Sequence, residues 1–178
     1  MTLAANQIGL YLTTTAGSAG SSLAQADPTA SLGKYGSTTA VVSLAVAAVF
    51  DTVTAAQATA GYTDYRAVVV RNLSGADTAT NLLLWLEDQV GGGTYSIGLD
   101  PVGIVAYNSA AVQGATIATK TTAPAGVTFT APTSGAPFTV GNVAANQLAM
   151  VWIRRVISAL TPGNANDLVS LKARAETV

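Results

Sequence analysis

Carboxylates are the first side chains to consider for catalysis in this sequence, because it contains neither histidine nor cysteine. The usual general base, the thiolate nucleophile and the common transition-metal ligands are therefore missing. A carboxylate pair for glycoside hydrolysis could be drawn from Glu87, Asp88 and Asp100. Glu87 and Asp88 are adjacent, however, and neighbours on a strand point to opposite faces. The sequence does not favour a hydrolytic site.

Nucleophile and phosphate motifs are equally weak. A serine–lysine dyad would need Lys34, Lys120 or Lys172 buried beside a serine, and no motif places one there. The stretch "VGGGTYS" lacks the GxxxxGK[ST] pattern of a phosphate-binding loop and is better explained as a turn between two strands. We therefore predict a protein that is not an enzyme, with no catalytic residues and no cofactor.

A calcium site is harder to exclude, because four aspartates lie at or near predicted loop ends. Oxygen ligands from Asp64, Asp77, Asp88 and Asp100 could converge there. The Asp-x-Asp-x-Asp-Gly loop is absent, so solvated turn acids are the favoured interpretation. We predict no metal site.

Charge is scarce along the whole chain. Charged residues make up 10% of it and the net charge is −1, against roughly 25% charged residues in an ordinary soluble domain. Apart from Arg154 and Arg155 the basic residues are scattered, so the footprint for nucleic acid is missing. A surface this poor in charge suggests that much of it faces other protein, and a homo-oligomer is expected.

Membrane insertion is not expected either. The opening "MTLAANQIGLYL" has no basic region, which argues against a secretion signal. The longest apolar-rich run, "AVVSLAVAAVF" from Ala40 to Phe50, is about half of the roughly 20 residues that a bilayer span requires. We interpret it as a buried strand.

From Thr39 onward, short apolar runs separated by turn residues predict an antiparallel all-β domain, an immunoglobulin-like or jelly-roll-like β-sandwich. A single helical turn with Thr54 as N-cap and Gly61 at its end is expected between the first two strands. A helix over "TNLLLWLEDQV" is a competing interpretation, but the flanking "GADT" and "GGG" favour a strand. The strand candidates are 39–50, 64–72, 80–88, 94–100, 126–132, 137–142, 147–158 and 167–176.

Residues 1–38 form a separate region, followed by the sandwich domain at 39–178. One short alternating piece, "QIGLYLTTT", precedes a stretch rich in glycine, serine and alanine that cannot fill a core by itself. It is either a flexible terminus or long surface loop, or an arm that becomes ordered across a neighbouring subunit. Leu10 and Tyr11 are the interface candidates in this arm.

Several central strands are apolar on both faces. In "NLLLWLED" the residues Leu83 and Trp85 lie opposite the three other leucines, and "QLAMVWIRR" shows the same pattern. A two-layer sandwich buries one face of each sheet, so a loop, the arm or a partner must cover the second apolar face. Trp85 and Trp152 are therefore either core residues or interface anchors, with core as the default.

Arg154 and Arg155 must face opposite ways on a strand. One of them can pair with Glu87 or Asp88 across the sheet while the other reaches a carboxylate of a partner. With Leu10, Tyr11, Trp85 and Trp152 they complete the set of predicted interface residues.

The order "YRAVVVRNLSGADTATNLLLWLED", "YSIGLDPVG", "APTSGAPFTVGNVAANQLAMVWIRRVIS" and "NDLVSLKARAE" is similar to small virion proteins of tailed bacteriophages. It also resembles immunoglobulin-like modules in which a strand ending in "V-x-N" precedes a small-residue turn, and in which a later turn such as "NVAANQLAMVWI" introduces a long strand. The resemblance covers roughly Tyr65 to Val178. It implies a head decoration or cement protein that binds the major capsid protein or other virion proteins and is located in the virion, which assembles in the host cytoplasm.

Two alternatives remain open. One is a tail, neck or baseplate subunit of the same kind of particle. The other is a carbohydrate-binding or adhesive immunoglobulin-like module, for which Tyr62, Tyr95 and Tyr107 are the candidate stacking platforms.

Overall fold

The chain folds as an antiparallel all-β sandwich, as predicted. The computed structural model describes residues 7–17, 23–41, 46–162 and 168–177, with backbone alone at 46, 47, 168, 176 and 177. Two sheets pack together, with strand orders β2-β1-β3-β7-β5 and β6-β4-β8. The strands are β1 (Ile8–Thr14), β2 (Tyr35–Ala40), β3 (Tyr62–Asn72), β4 (Ala79–Val90), β5 (Gly93–Ala106), β6 (Phe138–Val143), β7 (Gln147–Ile157) and β8 (Leu168–Thr177).

The main core lies between the two sheets. Leu82, Leu84 and Leu86 of β4 point into it and are at most 4% exposed, which confirms the strand interpretation of this segment over the helical one. From the larger sheet, β3 and β7 contribute the alternating positions Val68 and Val70, and Val151 and Ile153. Burying side chains of this size stabilises the fold by about 1.5–3 kcal/mol each.

The other face of the larger sheet is also shielded from solvent, and a segment of the same chain shields it. Residues 107–137, here called the covering segment, run across it between β5 and β6 and contain no strand or helix. Ile117 packs there against Leu148, Met150 and Trp152, all of which are at most 4% exposed. Leu32 adds to the cover from the N-terminal side. The sequence predicted that a loop, the N-terminal arm or a partner covers this face. In the structure a loop and part of the N-terminal region cover it.

Backbone hydrogen bonds attach the covering segment to the sheet. Tyr65 donates to the Lys120 carbonyl over 2.8 Å, and Ile97 and Thr130 exchange a pair of hydrogen bonds of 2.7 and 2.9 Å. The strand predicted at 126–132 is therefore wrong, because only Thr130 bridges to β5. Gly98 permits this approach, since a Cβ there would collide with the Thr128 carbonyl oxygen.

The N-terminal region is part of the sandwich. β1 lies between β2 and β3, and its Leu10 and Leu12 point into the main core at 8% and 2% exposure. The predicted boundary at residue 38 falls inside β2. The described part of residues 7–38 is thus not a separate arm, and residues 1–6 and 18–22 lie outside the described residues. Sequence reasoning underestimated β1 because the glycine-rich stretch beside it dominated the composition.

The segment after β2 corrects a second expectation. The strand predicted over residues 39–50 is wrong beyond Ala40, because Val46–Val49 form a 3₁₀ turn; residues 42–45 lie outside the described part. The expected helical turn follows as α1 (Ala55–Ala60), with Thr54 as N-cap in a capping box with Gln57. Gly61 ends it at φ 83° and ψ 142°, outside the αL region that had been expected.

The residues that carry the resemblance to immunoglobulin-like modules stabilise turns. Asn72, which ends β3 in "V-x-N", is buried and donates from Nδ2 to the carbonyls of Asp77 (2.8 Å) and Val143 (2.9 Å). It thereby joins the β3–β4 turn to β6. Before β7, Asn146 adopts φ 57° and Gln147 accepts a hydrogen bond from the Ala144 amide. These positions serve the framework.

Candidate functional site

Three of the six predicted interface residues are inside the protein. Trp152 is fully buried, and its Nε1 donates to Asp100 Oδ2 over 2.8 Å. Leu10 belongs to the main core, and Arg155 is 3% exposed. A fourth, Tyr11, is half-buried against the cluster under the covering segment. The default interpretation of Trp152 as a core residue agrees with its burial.

Arg155 belongs to a group of charges at one end of the main core, here called the ion cluster. Its members are Asp51, Asp64, Arg66, Lys120 and Arg155. Arg155 donates from Nε and Nη2 to the two carboxylate oxygens of Asp64, over 3.0 and 2.9 Å. The pairing expected with Glu87 or Asp88 is therefore wrong. Asp64 lies beside Arg155 in register on β3 and is on the same face.

Asp51 closes the ion cluster from outside the sheet. Its carboxylate accepts hydrogen bonds from Arg66 Nη2 over 3.0 Å and from Lys120. Its backbone carbonyl accepts from Arg155 Nη2 over 2.9 Å. The segment leading into α1 is thereby fixed to β3, to β7 and to the covering segment.

The two buried guanidinium groups also contact an aromatic ring. Arg66 and Arg155 lie 5.3 and 4.7 Å from the centroid of Phe50, which Tyr95 meets edge-on at 5.8 Å. Burial lowers the pKa of Arg66 from its ordinary value despite the nearby charges of Asp64 and Asp51, whereas for Arg155 the hydrogen bonds and charge of Asp64 outweigh burial and raise the pKa. Both remain charged at neutral pH, so the cluster acts as a structural cross-link.

Two of the three carboxylates proposed for hydrolysis, Asp100 and Glu87, are already bound by other groups of the protein. Asp100 is 1% exposed and accepts hydrogen bonds from Trp152 Nε1 and from the amides of Ala115 and Val102. Glu87 accepts from Trp85 Nε1 over 2.6 Å and lies 4.0 Å from Lys172 Nζ. Across the described ranges, no three acidic side chains are grouped in a way that could hold a metal ion. Asp100 therefore fixes the covering segment to the sheet.

The tyrosines considered as sugar platforms are not arranged as one. Tyr95 is 2% exposed in the main core. Tyr107 is half-buried, with the Arg71 guanidinium 3.3 Å from its ring centroid. Tyr62 is half-buried at the start of β3. A stacking surface built on Tyr95 is excluded by its burial.

Arg154 lies on the face opposite Arg155, as predicted for adjacent strand residues. Its Nε donates to Ser96 Oγ over 2.9 Å, and its guanidinium lies 5.0 Å from the ring centroid of Phe129. Tyr65 packs beside Phe129 with ring centroids 5.6 Å apart. Among the described residues, Arg154 forms no ion pair with an acid. It is half-buried, and its remaining N–H groups can donate to a carboxylate of another molecule.

Trp85 lies on the outer face of the smaller sheet. It is half-buried, pairs in register with Lys172 on β8, and belongs to neither apolar cluster. Leu83, two residues away on the same face, pairs with Arg174. This confirms the predicted alternation of β4 and leaves Trp85 as the tryptophan that a partner could reach.

Sequence reasoning missed the most exposed apolar residues. Leu160 and Val90 are 79% and 52% exposed, the highest values among the large hydrophobic residues described. Leu160 lies in the turn after β7, and Val90 is the last residue of β4. The β4–β5 turn that follows Val90 meets the turn after β7 where Gly92 approaches Thr161. The "TPG" after Leu160 indicated a turn, but nothing in the sequence indicated that the two turns adjoin.

Comparison with known proteins adds no relative. No protein-family model matches the chain, and no curated protein or solved structure matches it. Among the described residues no helix combines the length and apolar character needed to cross a bilayer. The distribution of its side chains is therefore what bears on the function of this protein.

Proposed function

We propose that this chain is a non-enzymatic structural protein of a bacteriophage virion, a head decoration or cement protein that stabilises the shell through many simultaneous contacts. The observation that carries the proposal is the low charge of the surface. Eight basic and nine acidic residues serve 178 positions. Within the part of the chain that the structure describes, four of them are buried: Asp64, Arg66, Asp100 and Arg155. So few surface charges favour contact with protein over isolation in water.

The use of the polar side chains supports the same proposal. The charges with the strongest mutual contacts form the ion cluster, and Asp100 holds the covering segment. Both arrangements use charged side chains to hold parts of the sandwich together, and the described residues contain no group of three acidic side chains placed to hold a metal ion. A protein whose charged side chains mainly hold its own fold together suits a structural subunit that is held in place by contacts with neighbouring proteins.

Because the covering segment shields the second face of the larger sheet, a capsid protein must bind elsewhere on the molecule. Trp152 and Met150 are fully buried beneath the covering segment, so they are not available to a capsid protein. The outer face of the smaller sheet, with Trp85 between Glu87 and Lys172, takes their place in the proposal. A half-buried tryptophan is a common centre of binding energy in protein interfaces.

Multivalency supplies the stabilising effect. A contact of about 800 Å² per partner is standard for specific interfaces. Even if each contact is weak, a protein that touches several subunits of a shell has a much higher combined affinity. Rupture of the shell then requires many contacts to open together.

Quantitative mass spectrometry of purified virions of the phage that carries this gene tests the proposal. A head decoration protein is expected in hundreds of copies per particle. A dozen or so copies would indicate the alternative, a neck, tail or baseplate subunit. Absence of the chain from the virion would refute both.

A binding assay locates the attachment. Trp85→Ala is expected to weaken binding to particles stripped of the protein by at least tenfold, with little change in melting temperature. Val112→Ala, at an exposed loop position elsewhere on the molecule, is the control and should bind normally. Equal binding by both variants would remove Trp85 from the interface.

A further inference from the structure

The outer face of the larger sheet carries a second arginine on an aromatic ring, at the end of β3 opposite to the position that pairs with Arg154. The guanidinium of Arg71 lies 3.3 Å from the ring centroid of Tyr107. Arg71 is in register with Leu148 of β7, which packs on this face, so its side chain is on this face too. At van der Waals distance the planar group stacks on the ring, and its N–H groups lie within its own plane.

Arg71 has no acidic partner within the protein. Among the described residues it forms no ion pair, and its Nε is buried without a hydrogen-bond partner. Arg155 of the ion cluster, by contrast, donates to both carboxylate oxygens of Asp64. An unsatisfied buried donor costs free energy. This cost is understandable where Arg71 binds an acceptor that another molecule supplies.

Tyr107 is fixed in place by hydrogen bonds of its own backbone. Its amide donates to the Asn146 carbonyl over 2.9 Å, and its carbonyl accepts from Gln113 Nε2 over 2.6 Å. Gln113 is 0% exposed, and its Oε1 accepts from the Gly36 amide over 2.8 Å. The ring that supports the guanidinium is therefore positioned before a ligand binds, so less conformational freedom is lost on binding.

Two further side chains with apolar surface adjoin this arginine on the β1 side. Gly9 of β1 is in register with Arg71. A Cβ on Gly9 would lie 2.6 Å from the ring of Tyr11 and 3.1 Å from Leu73 Cδ1, so both side chains extend over the glycine. Leu73 is 37% exposed and Tyr11 is half-buried. We call Tyr11, Arg71, Leu73 and Tyr107 the arginine site.

A carboxylate is the anion that best fits the arginine site. A planar guanidinium can donate two parallel hydrogen bonds to a carboxylate. Nucleic acid is disfavoured, because its binding requires several phosphates to be neutralised together and the arginine site contains one cation. The apolar surface of Leu73 and Tyr11 suits an apolar group beside the carboxylate. A protein segment with an acidic residue next to an apolar one supplies both groups.

We propose that the arginine site binds an acidic side chain of a partner protein, with Tyr11 and Leu73 contacting an apolar residue beside that acid. Tyrosine and arginine are the residue types that most often carry binding energy in protein interfaces. The inference goes beyond the virion role, because the same chemistry recognises an acid on any protein. It also places a contact on the larger sheet, whereas Trp85 lies on the smaller one.

A peptide titration of the isotope-labelled full chain, followed by NMR at constant ionic strength, tests the site. The probe is the capped dipeptide acetyl-leucyl-glutamyl amide. It is expected to shift the resonances of Gly9, Arg71 and Leu73 saturably, with a dissociation constant on the order of 1 mM, as suits one small contact. Acetyl-leucyl-glutaminyl amide has nearly the same shape without the charge and should bind about tenfold more weakly.

Substitutions assign the binding to the arginine. Arg71→Gln should reduce the affinity for the acidic peptide to that of the neutral one. Arg71→Lys keeps the charge but loses the planar pair of donors, so it should also bind more weakly than the wild type. Arg174→Gln, at an exposed arginine on β8 outside the site, is the matched control and should bind normally. Leu73→Ser, at an exposed position, tests the apolar contact and should weaken binding without unfolding the chain.

Several results would overturn the proposal. These are the lack of saturable binding, equal affinity for the two peptides, and unchanged binding by Arg71→Gln or Leu73→Ser. Inorganic phosphate that binds more tightly than the acidic peptide would assign the site to a phosphate group instead. A chain that is abundant in virions but does not bind the acidic peptide keeps its proposed function and loses this inference. A chain that binds the peptide but is missing from virions has the opposite result.

Discussion

Asp64 neutralises two guanidinium groups that have lost contact with water. Arg66 and Asp64 have no exposed side-chain surface, and Arg155 retains 4%. Removing one member of such a group leaves the others buried without compensation, which costs more than the intact pair contributes. The ion cluster is therefore a sensitive point of the fold, although it has no catalytic arrangement.

We expect Asp64→Ala to lower the free energy of unfolding by about 3–5 kcal/mol, measured by urea denaturation. The matched control is Lys172→Ala, which breaks the exposed pair with Glu87 and should cost less than about 1 kcal/mol. Equal effects of the two substitutions would mean that the cluster is hydrated and contributes no more than a surface pair.

Asp51 gives the ion cluster a dependence on pH. Burial alone would raise the pKa of its carboxyl, but the hydrogen bond from Lys120 and the charges of Lys120 and Arg66 lower it below 3.8. A lowered folded-state pKa means that the unfolded chain binds the proton more readily. The stabilisation by Asp51 is therefore complete above its unfolded pKa and is lost as the pH falls through the folded value.

The urea midpoints of the wild type and of Asp51→Asn, compared from pH 6 to pH 2, test this. The wild type should be the more stable at pH 6, and its advantage should shrink below roughly pH 4. A difference that stays constant over the range would show that titration of Asp51 is not coupled to folding.

At the scale of elements, the covering segment is the part of the fold that the sequence least indicated. β3, β4 and β7 were predictable because their apolar residues alternate or run continuously between turn residues. Residues 107–137 have neither period, since their backbone pairs at separate points with β3, β5 and the Leu32 region. The outward-facing residues divide the same way. Trp85 and the opposed arginines follow from strand alternation, whereas the approach of Gly92 to Thr161 joins two turns that are far apart in the sequence.

Close backbone approach makes the covering segment sensitive at one glycine. We expect Gly98→Ala to destabilise the protein by about 1–3 kcal/mol, because the added Cβ would collide with the Thr128 carbonyl and push the segment off the sheet. Thermal unfolding and the fluorescence of Trp152 beneath the segment would report it. Gly75→Ala is the control, since no atom lies within 4 Å of its Cβ position. A silent Gly98→Ala would mean that the segment is loosely held there.

At the scale of the whole molecule, both apolar clusters share the ladder of β3 and β7. Val68 and Val70 of β3 face the main core, while Ala67 and Val69 face the covering segment. The pairing of the two strands runs from Tyr62 with Ile157 to Arg71 with Leu148. Loss of either layer exposes one side of the same two strands, so the sandwich and its cover are expected to unfold together.

The N-terminal strands provide the strongest test of whether the whole chain unfolds as one cooperative unit. A detachable arm could be removed without unfolding the domain, whereas β1 pairs with β3 over five consecutive residues and carries Leu10 and Leu12 into the main core. We therefore expect deletion of residues 1–38 to abolish the cooperative thermal transition. Leu12→Ala in the full chain should cost about 2–5 kcal/mol, and the exposed Leu23→Ala should cost little. If the truncated chain keeps a sharp transition, β1 docks on a sandwich that is complete without it, and the domain boundary predicted at residue 38 is restored.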